Sequence, residues 1–184
     1  MNRNYGVAEK GESDLDKPLD NWDMMVNQRV AVFIDVQNMF YSAKHQYNRK
    51  LDFARLLNFI VNGRSLIRAV AYVIQAGEVD QTSFLNFLKL NGFEVRAKEL
   101  KIRPDGSSKG DWDMGMALDC VILADRVDVV ALVTGDGDFT ELVNALKARG
   151  ARVEVYGFPM NTSEELKRAA TDFQALNSDV LLYE

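Results

Sequence analysis

Four aspartates, Asp35, Asp113, Asp136 and Asp138, stand where hydrophobic strand-like runs stop or helix-like runs begin. Asp35 closes the run Val30-Ala31-Val32-Phe33-Ile34. Asp136 and Asp138 follow Val129-Val130-Ala131-Leu132-Val133 through the turn Thr134-Gly135-Asp136-Gly137-Asp138. In an open α/β sheet the carboxyl ends of parallel strands line the ligand crevice. Carboxylates gathered there repel one another, and a divalent cation relieves the repulsion. Mg²⁺ binds through few carboxylates and keeps several waters, so an all-Asp set suits it. The chemistry such a site serves is metal-assisted attack on a phosphate.

Each of these residues also has a plainer role. Asp35 is placed to cap the helix that follows it, with Asn38 about one helical turn beyond. Two glycines relax the backbone around Asp136 so that two carboxylates can approach one point. Asp138 with Glu141 three residues later reads as a capping-box-like start to the next helix; no comparable structural account covers Asp136. Thr134 offers a hydroxyl donor to a phosphate. In Lys109-Gly110-Asp111-Trp112-Asp113 the two acids complement a helix N-terminus, yet that position also aims a carboxylate into a crevice where Lys109 meets phosphate. Asp119, among Ala117, Leu118, Val121 and Ile122, is either solvent-facing or buried with a purpose.

Strand and helix signals alternate from Gln28 onward. Arg29–Asp35, Leu66–Gln75, Phe93–Leu100, Val127–Thr134 and Ala151–Tyr156 read as strands. Asn38–Gln46, Asp52–Val61, Asp80–Leu90, Asp113–Leu123, Phe139–Ala148 and Ser163–Ala170 read as helices, with Asp52 capping the second. Lys101–Gly110 reads as a loop, and the last dozen residues as a short strand or a packed tail. Such alternation implies right-handed βαβ crossovers and a mainly parallel, five-stranded sheet. Residues 1–28, polar and without periodicity, read as a flexible N-terminal arm, and 29–184 as one doubly wound domain.

Composition narrows the classes. The chain has 184 residues, 47% hydrophobic and 27% charged, ordinary for a globular protein. No apolar run approaches the roughly 20 residues of a membrane helix, and the N-terminus lacks a secretory pattern, so no membrane partner and a cytoplasmic location are expected. One cysteine, Cys120, and one histidine, His45, disfavour a zinc site; the thiol reads as core and His45 as surface. The net charge of -5 argues against bulk attraction to nucleic acid. Locally, however, Arg96, Lys98, Lys101, Arg103 and Lys109 outnumber Glu99 and Asp105 in one stretch. Tyr41, Tyr47 and Trp112 would stack on bases if they flank the crevice; packing is the plainer role. A homodimer is compatible with the sequence, though no feature demands one.

Three motifs in order, Phe33-Ile34-Asp35-x-x-Asn38, then Lys109-Gly110-x-x-Asp113 with Asp119, then Thr134-Gly135-Asp136-Gly137-Asp138-Phe139, carry a family likeness. Together they resemble the NYN domain, in particular its LabA-like branch, within the PIN-like nuclease superfamily. The resemblance spans nearly all of 29–184. It implies a three-layer α/β/α PIN-like fold and a Mg²⁺- or Mn²⁺-dependent ribonuclease acting on RNA. It also implies an acidic site of Asp35, Asp113, Asp136 and Asp138, with Asn38 as a polar companion and Asp119 as a recurrent acid of less defined role. Asn38, Lys109, Thr134 and Arg103 are then the expected substrate contacts. The alternative is a non-catalytic nucleic-acid- or nucleotide-binding regulator that keeps the acidic crevice. A haloacid-dehalogenase-type phosphatase would need a second Asp where Gln37 stands. A dinucleotide-binding protein would need a glycine-rich turn after strand 1, and Asp35-Val36-Gln37-Asn38 has no glycine.

Overall fold

Val30 to Ile34 and Val129 to Val133 are fully or almost fully buried, because each strand is covered on both faces, the condition that gives parallel strands continuous apolar runs. The computed structural model describes residues 27–75, 80–102, 108–109 and 111–183, with backbone only at 101–102 and 108–109. Its first helices and strands are β1 (Arg29–Asp35), α1 (Val36–Tyr47), α2 (Phe53–Val61), β2 (Ser65–Gln75), α3 (Thr82–Leu90) and β3 (Glu94–Glu99). The short β4 (Lys101–Ile102) and β5 (Ser108–Lys109) form an antiparallel pair. Then come α4 (Asp113–Leu123), β6 (Val129–Val133), α5 (Thr140–Ala148), β7 (Arg152–Gly157), α6 (Glu164–Ala169) and β8 (Asp172–Ala175).

The main sheet runs β3-β2-β1-β6-β7-β8 and every pairing in it is parallel. Side chains alternate across it. Val30, Val32 and Ile34 pack with Met39 of α1, Leu56 and Ile60 of α2 and Leu88 of α3. Ala31 and Phe33 pack with Met116 and Cys120 of α4, Val143 and Leu146 of α5 and Leu166 of α6. Three layers result. Cys120 is buried core, and burial raises its thiol well above the ordinary value.

The expected five strands are corrected to six. Asp172-Phe173-Gln174-Ala175 is at the sheet edge; it alternates polar and apolar residues, but over four positions only, the shortest span that reads as a strand. The C-terminal residues behave as a packed tail: Leu176, Val180 and Leu181 are buried against the α1–α3 side, and Leu181 bridges Leu51. Asp52 caps α2 as expected, accepting the Arg55 N–H at 3.0 Å. Residues 1–26 and Arg103 lie outside the described residues. Among those described, no helix is long and apolar enough to cross a membrane.

Strand order fixes where a site can form. From β1 the chain builds outward through β2 to β3, then returns to place β6 on the other side of β1. The switch point therefore lies between β1 and β6, at whose carboxyl ends a crevice opens. Ile34 pairs with Val133, so Asp35 and Thr134 leave the sheet level with each other.

Candidate metal centre

Asp35 ends β1 and caps α1, its Oδ1 accepting the Asn38 N–H at 3.0 Å. The cap holds the carboxylate at the mouth of the switch-point crevice. Burial raises this carboxyl to about 6, and repulsion from Asp113 and Asp136 adds to the effect against the Asn38 N–H, which lowers it. Asn38 returns a second tie across the crevice: its Oδ1 accepts the Gly135 N–H at 2.8 Å. One residue thus joins the start of α1 to the turn after β6. Asn38→Ala leaves a buried N–H without its acceptor, and is expected to lower unfolding free energy by roughly 1–2 kcal/mol in urea titration.

The turn after β6 is built by close approach. Neither Gly135 nor Gly137 has positive φ, so the left-handed backbone that glycine usually supplies is not what they provide. A Cβ on Gly135 would collide with the Asn161 carbonyl, and one on Gly137 would stand 2.9 Å from the Ser163 Oγ. The loop after β7 packs directly on this turn, with the Ser163 N–H donating to the Gly135 carbonyl at 2.9 Å. Thr134 is fully buried and its Oγ1 accepts the Asp136 N–H at 3.2 Å. It shapes the turn and does not line the cleft.

Capping falls on the acid for which the sequence offered no structural role. Asp136 caps the short 3-10 turn Gly137–Phe139, its Oδ1 accepting the Asp138 N–H at 3.0 Å. Helix α5 begins later, at Thr140, with no side-chain cap at its N-terminus, so the capping box expected of Asp138 and Glu141 does not form. Asp113 opens α4, which likewise has no side-chain cap.

Asp113, Asp136 and Asp138 each bring a carboxylate oxygen within 4.8 Å of the others. Burial raises the Asp113 carboxyl, and Asp111, Asp136 and Asp138 raise it further by repulsion. Asp35, Asn38, Asp113 and Asp136 line one cleft of about 620 Å³, with Tyr41, Tyr72 and Trp112 among its other walls. Three hard oxygen donors converging without Cys or His fit a Mg²⁺-type ion better than zinc.

Asp119 is not part of this group. It accepts the Tyr72 hydroxyl at 2.6 Å and pairs with Arg96 at 2.8 Å. Burial and the Asp119 carboxylate together push the Tyr72 hydroxyl far above its ordinary value. The purpose of the acid within α4 is to fasten that helix to β2 and β3. The basic stretch is similarly occupied where its side chains are described: Arg96 serves Asp119, and Lys98 donates to the Asp111 carbonyl at 2.9 Å while lying 3.9 Å from the Trp112 ring centre. The side chain of Lys109 lies outside the description.

Parallel order, switch-point crevice and converging carboxylates define a three-layer α/β protein with an acidic cleft at its strand ends. The NYN domain family matches residues 29–177. Over 157 residues the chain is 30% identical to the low amplitude and bright protein LabA of Synechococcus elongatus, covering 81% of this chain and 84% of that one. A solved protein of unknown function from Vibrio parahaemolyticus aligns with a TM-score of 0.79 at 38% identity, over 85% of this chain and 97% of its own. The chain belongs to the NYN domain family.

Proposed function

We propose that the protein is a Mg²⁺- or Mn²⁺-dependent ribonuclease that hydrolyses RNA phosphodiester bonds in the cleft between β1 and β6. The observation that carries this reading is the convergence of Asp113, Asp136 and Asp138 within 4.8 Å, with Asp35 on the wall of the same cleft. Those three side chains would hold the cation. When bound, the cation supplies activation of water and neutralisation of charge on the phosphoryl oxygens.

The chain's own groups divide the remaining work. Asp136 accepts the Asp138 N–H, which fixes the orientation of its carboxylate beside Asp113 and Asp138. Burial and the neighbouring acids raise the Asp35 carboxyl to about 6; a cation bound among them would favour its ionised form, which would orient water or take its proton. Asn38 and Gly135 hold the two walls together. Lys109 and Arg103 are the cations proposed to receive the RNA backbone, since Arg96 and Lys98 are engaged elsewhere.

The test uses the full chain with single-stranded and structured RNA in Mg²⁺, Mn²⁺ or EDTA, beside Asp138→Asn. Asp138 holds no capping hydrogen bond, so its neutralisation leaves the turn intact. Cleavage that needs the metal and disappears in the variant supports the enzyme. RNA binding without cleavage in either protein favours the regulator reading, and equal cleavage by both identifies a contaminant.

A further inference from the structure

Beside the acidic cleft lies a second hollow of about 560 Å³, between α1, the end of β2 and the start of α3. The two share walls: Gln37, Tyr41 and Ile74 line both. Unlike the first, the second is mainly apolar, with Phe40, Phe84 and Leu100 on its sides. Helix α1 explains the juxtaposition. Val36, Met39 and Ala43 face the core, which leaves Gln37, Phe40 and Tyr41 together on the outer face at three- and four-residue spacing. Asp35 caps that same helix, so Asp35 and the aromatic pair are little more than a helical turn apart.

Phe40 and Tyr41 are 41% and 61% exposed, and their rings meet edge to face at 5.7 Å between centroids. Large aromatic side chains left in water beside a polar cleft are platforms for flat, partly apolar ligands. On the wall of the hollow, the Gln81 Oε1 is buried and makes no hydrogen bond among the described residues. An exocyclic amine on a ligand would satisfy it.

Building on the nuclease reading, we infer that this hollow receives the nucleobase next to the phosphate held at the acids, unpaired and stacked on Phe40 and Tyr41. Each base has a π-face that stacks on aromatic side chains, and only an unpaired strand can turn a base out into the hollow without breaking a duplex. Continuity with the acidic cleft sets the occupant: a chain whose phosphate sits at the aspartates has its adjoining base at Tyr41.

Binding of a fluorescent RNA hexamer in EDTA reads this subsite apart from catalysis. Phe40→Ala and Tyr41→Ala are each expected to weaken binding about tenfold, with unchanged melting curves because both side chains stand outside the core. A hexamer carrying an abasic residue is expected to bind the wild type as weakly as the intact hexamer binds the variants. Ile122→Ala, exposed on α4 across the sheet, is expected to bind like the wild type. Variants that bind as tightly as wild type, or a wild type indifferent to the abasic residue, overturn the subsite. Either result leaves the nuclease reading standing if the wild type still cleaves in Mg²⁺. A wild type that binds no hexamer also overturns the subsite, and added absence of cleavage removes both.

Discussion

Asp35→Asn is expected to raise the melting temperature of the metal-free protein while lowering metal-dependent cleavage roughly 100-fold, the scale seen when one preorganised charged group is lost. The stability half follows from burial. Folding raises this carboxyl from an ordinary 3.8 to about 6, so between those values the folded state holds a proton that the unfolded state has released. Stability therefore falls as pH rises through this window, and above about 6 the charged side chain carries its full penalty. At 1.4 kcal/mol for each unit the penalty is at most ~3 kcal/mol, several degrees for a chain of this length. Asn retains an oxygen for the Asn38 N–H and is itself a favoured N-cap, so the cap survives. Melting curves in EDTA should separate variant from wild type above pH 7 and bring them together near pH 4; a gap independent of pH contradicts the electrostatic cause. Added Mg²⁺ should stabilise the wild type by mass action and the variant less.

Opposite signs for stability and turnover are what a crowded carboxylate site requires. The acids are held together by backbone devices that have nothing to do with a metal, among them the Asp35 and Asp136 caps and the Asn38 bridge to Gly135. This explains how far the sequence could be read. Buried parallel strands and their trailing acids were legible, because a run such as Val30 to Ile34 has few other uses and the residue after it lies at the crevice. The family motifs then placed Asp113 beside them across the intervening elements. Which acid caps a helix was not legible. Asp138-x-x-Glu141 has the spacing of a capping box, but the 3-10 turn at Gly137–Phe139 moves the start of α5 to Thr140 and hands the capping role to Asp136. The reason for Gly135 was hidden as well, since the atom it admits, the Asn161 carbonyl, comes from a loop 26 residues later. Burial of Thr134 and the Asp119–Tyr72–Arg96 link depend on strand order, which local periodicity does not encode. β8 escaped notice because its polar/apolar alternation lasts only four residues at the sheet edge, too short to stand out from a loop.

Breaking the buried pair Arg64–Glu154 is expected to destabilise the fold by about 3–5 kcal/mol, without involving the acidic cleft. Arg64 is 5% exposed and Glu154 3%. The guanidinium lies 3.0 Å from the Glu154 carboxylate and donates to the Ile60 carbonyl at 2.5 Å and the Tyr156 hydroxyl at 3.2 Å. The Tyr156 hydroxyl in turn donates to Glu154 at 2.7 Å, and Arg152 adds a bond at 3.0 Å. Burial alone would raise the Glu154 carboxyl, but these donors and the Arg64 charge bring it below its ordinary value. Its contribution to stability is therefore present at neutral pH and lost as pH falls through the lowered value. Glu154→Leu leaves a buried guanidinium without its counter-charge, and Arg64→Met leaves a buried carboxylate with only Arg152 and Tyr156. Each single variant should unfold at much lower urea concentration than the wild type. The double variant Arg64→Met/Glu154→Leu removes both charges, and apolar replacements of such pairs are often neutral, so it should recover most of the loss. Additive losses in that cycle would mean that the two side chains act through separate contacts. Because neither Arg64 nor Glu154 lines the acidic cleft, the double variant should keep the metal-dependent cleavage of the wild type.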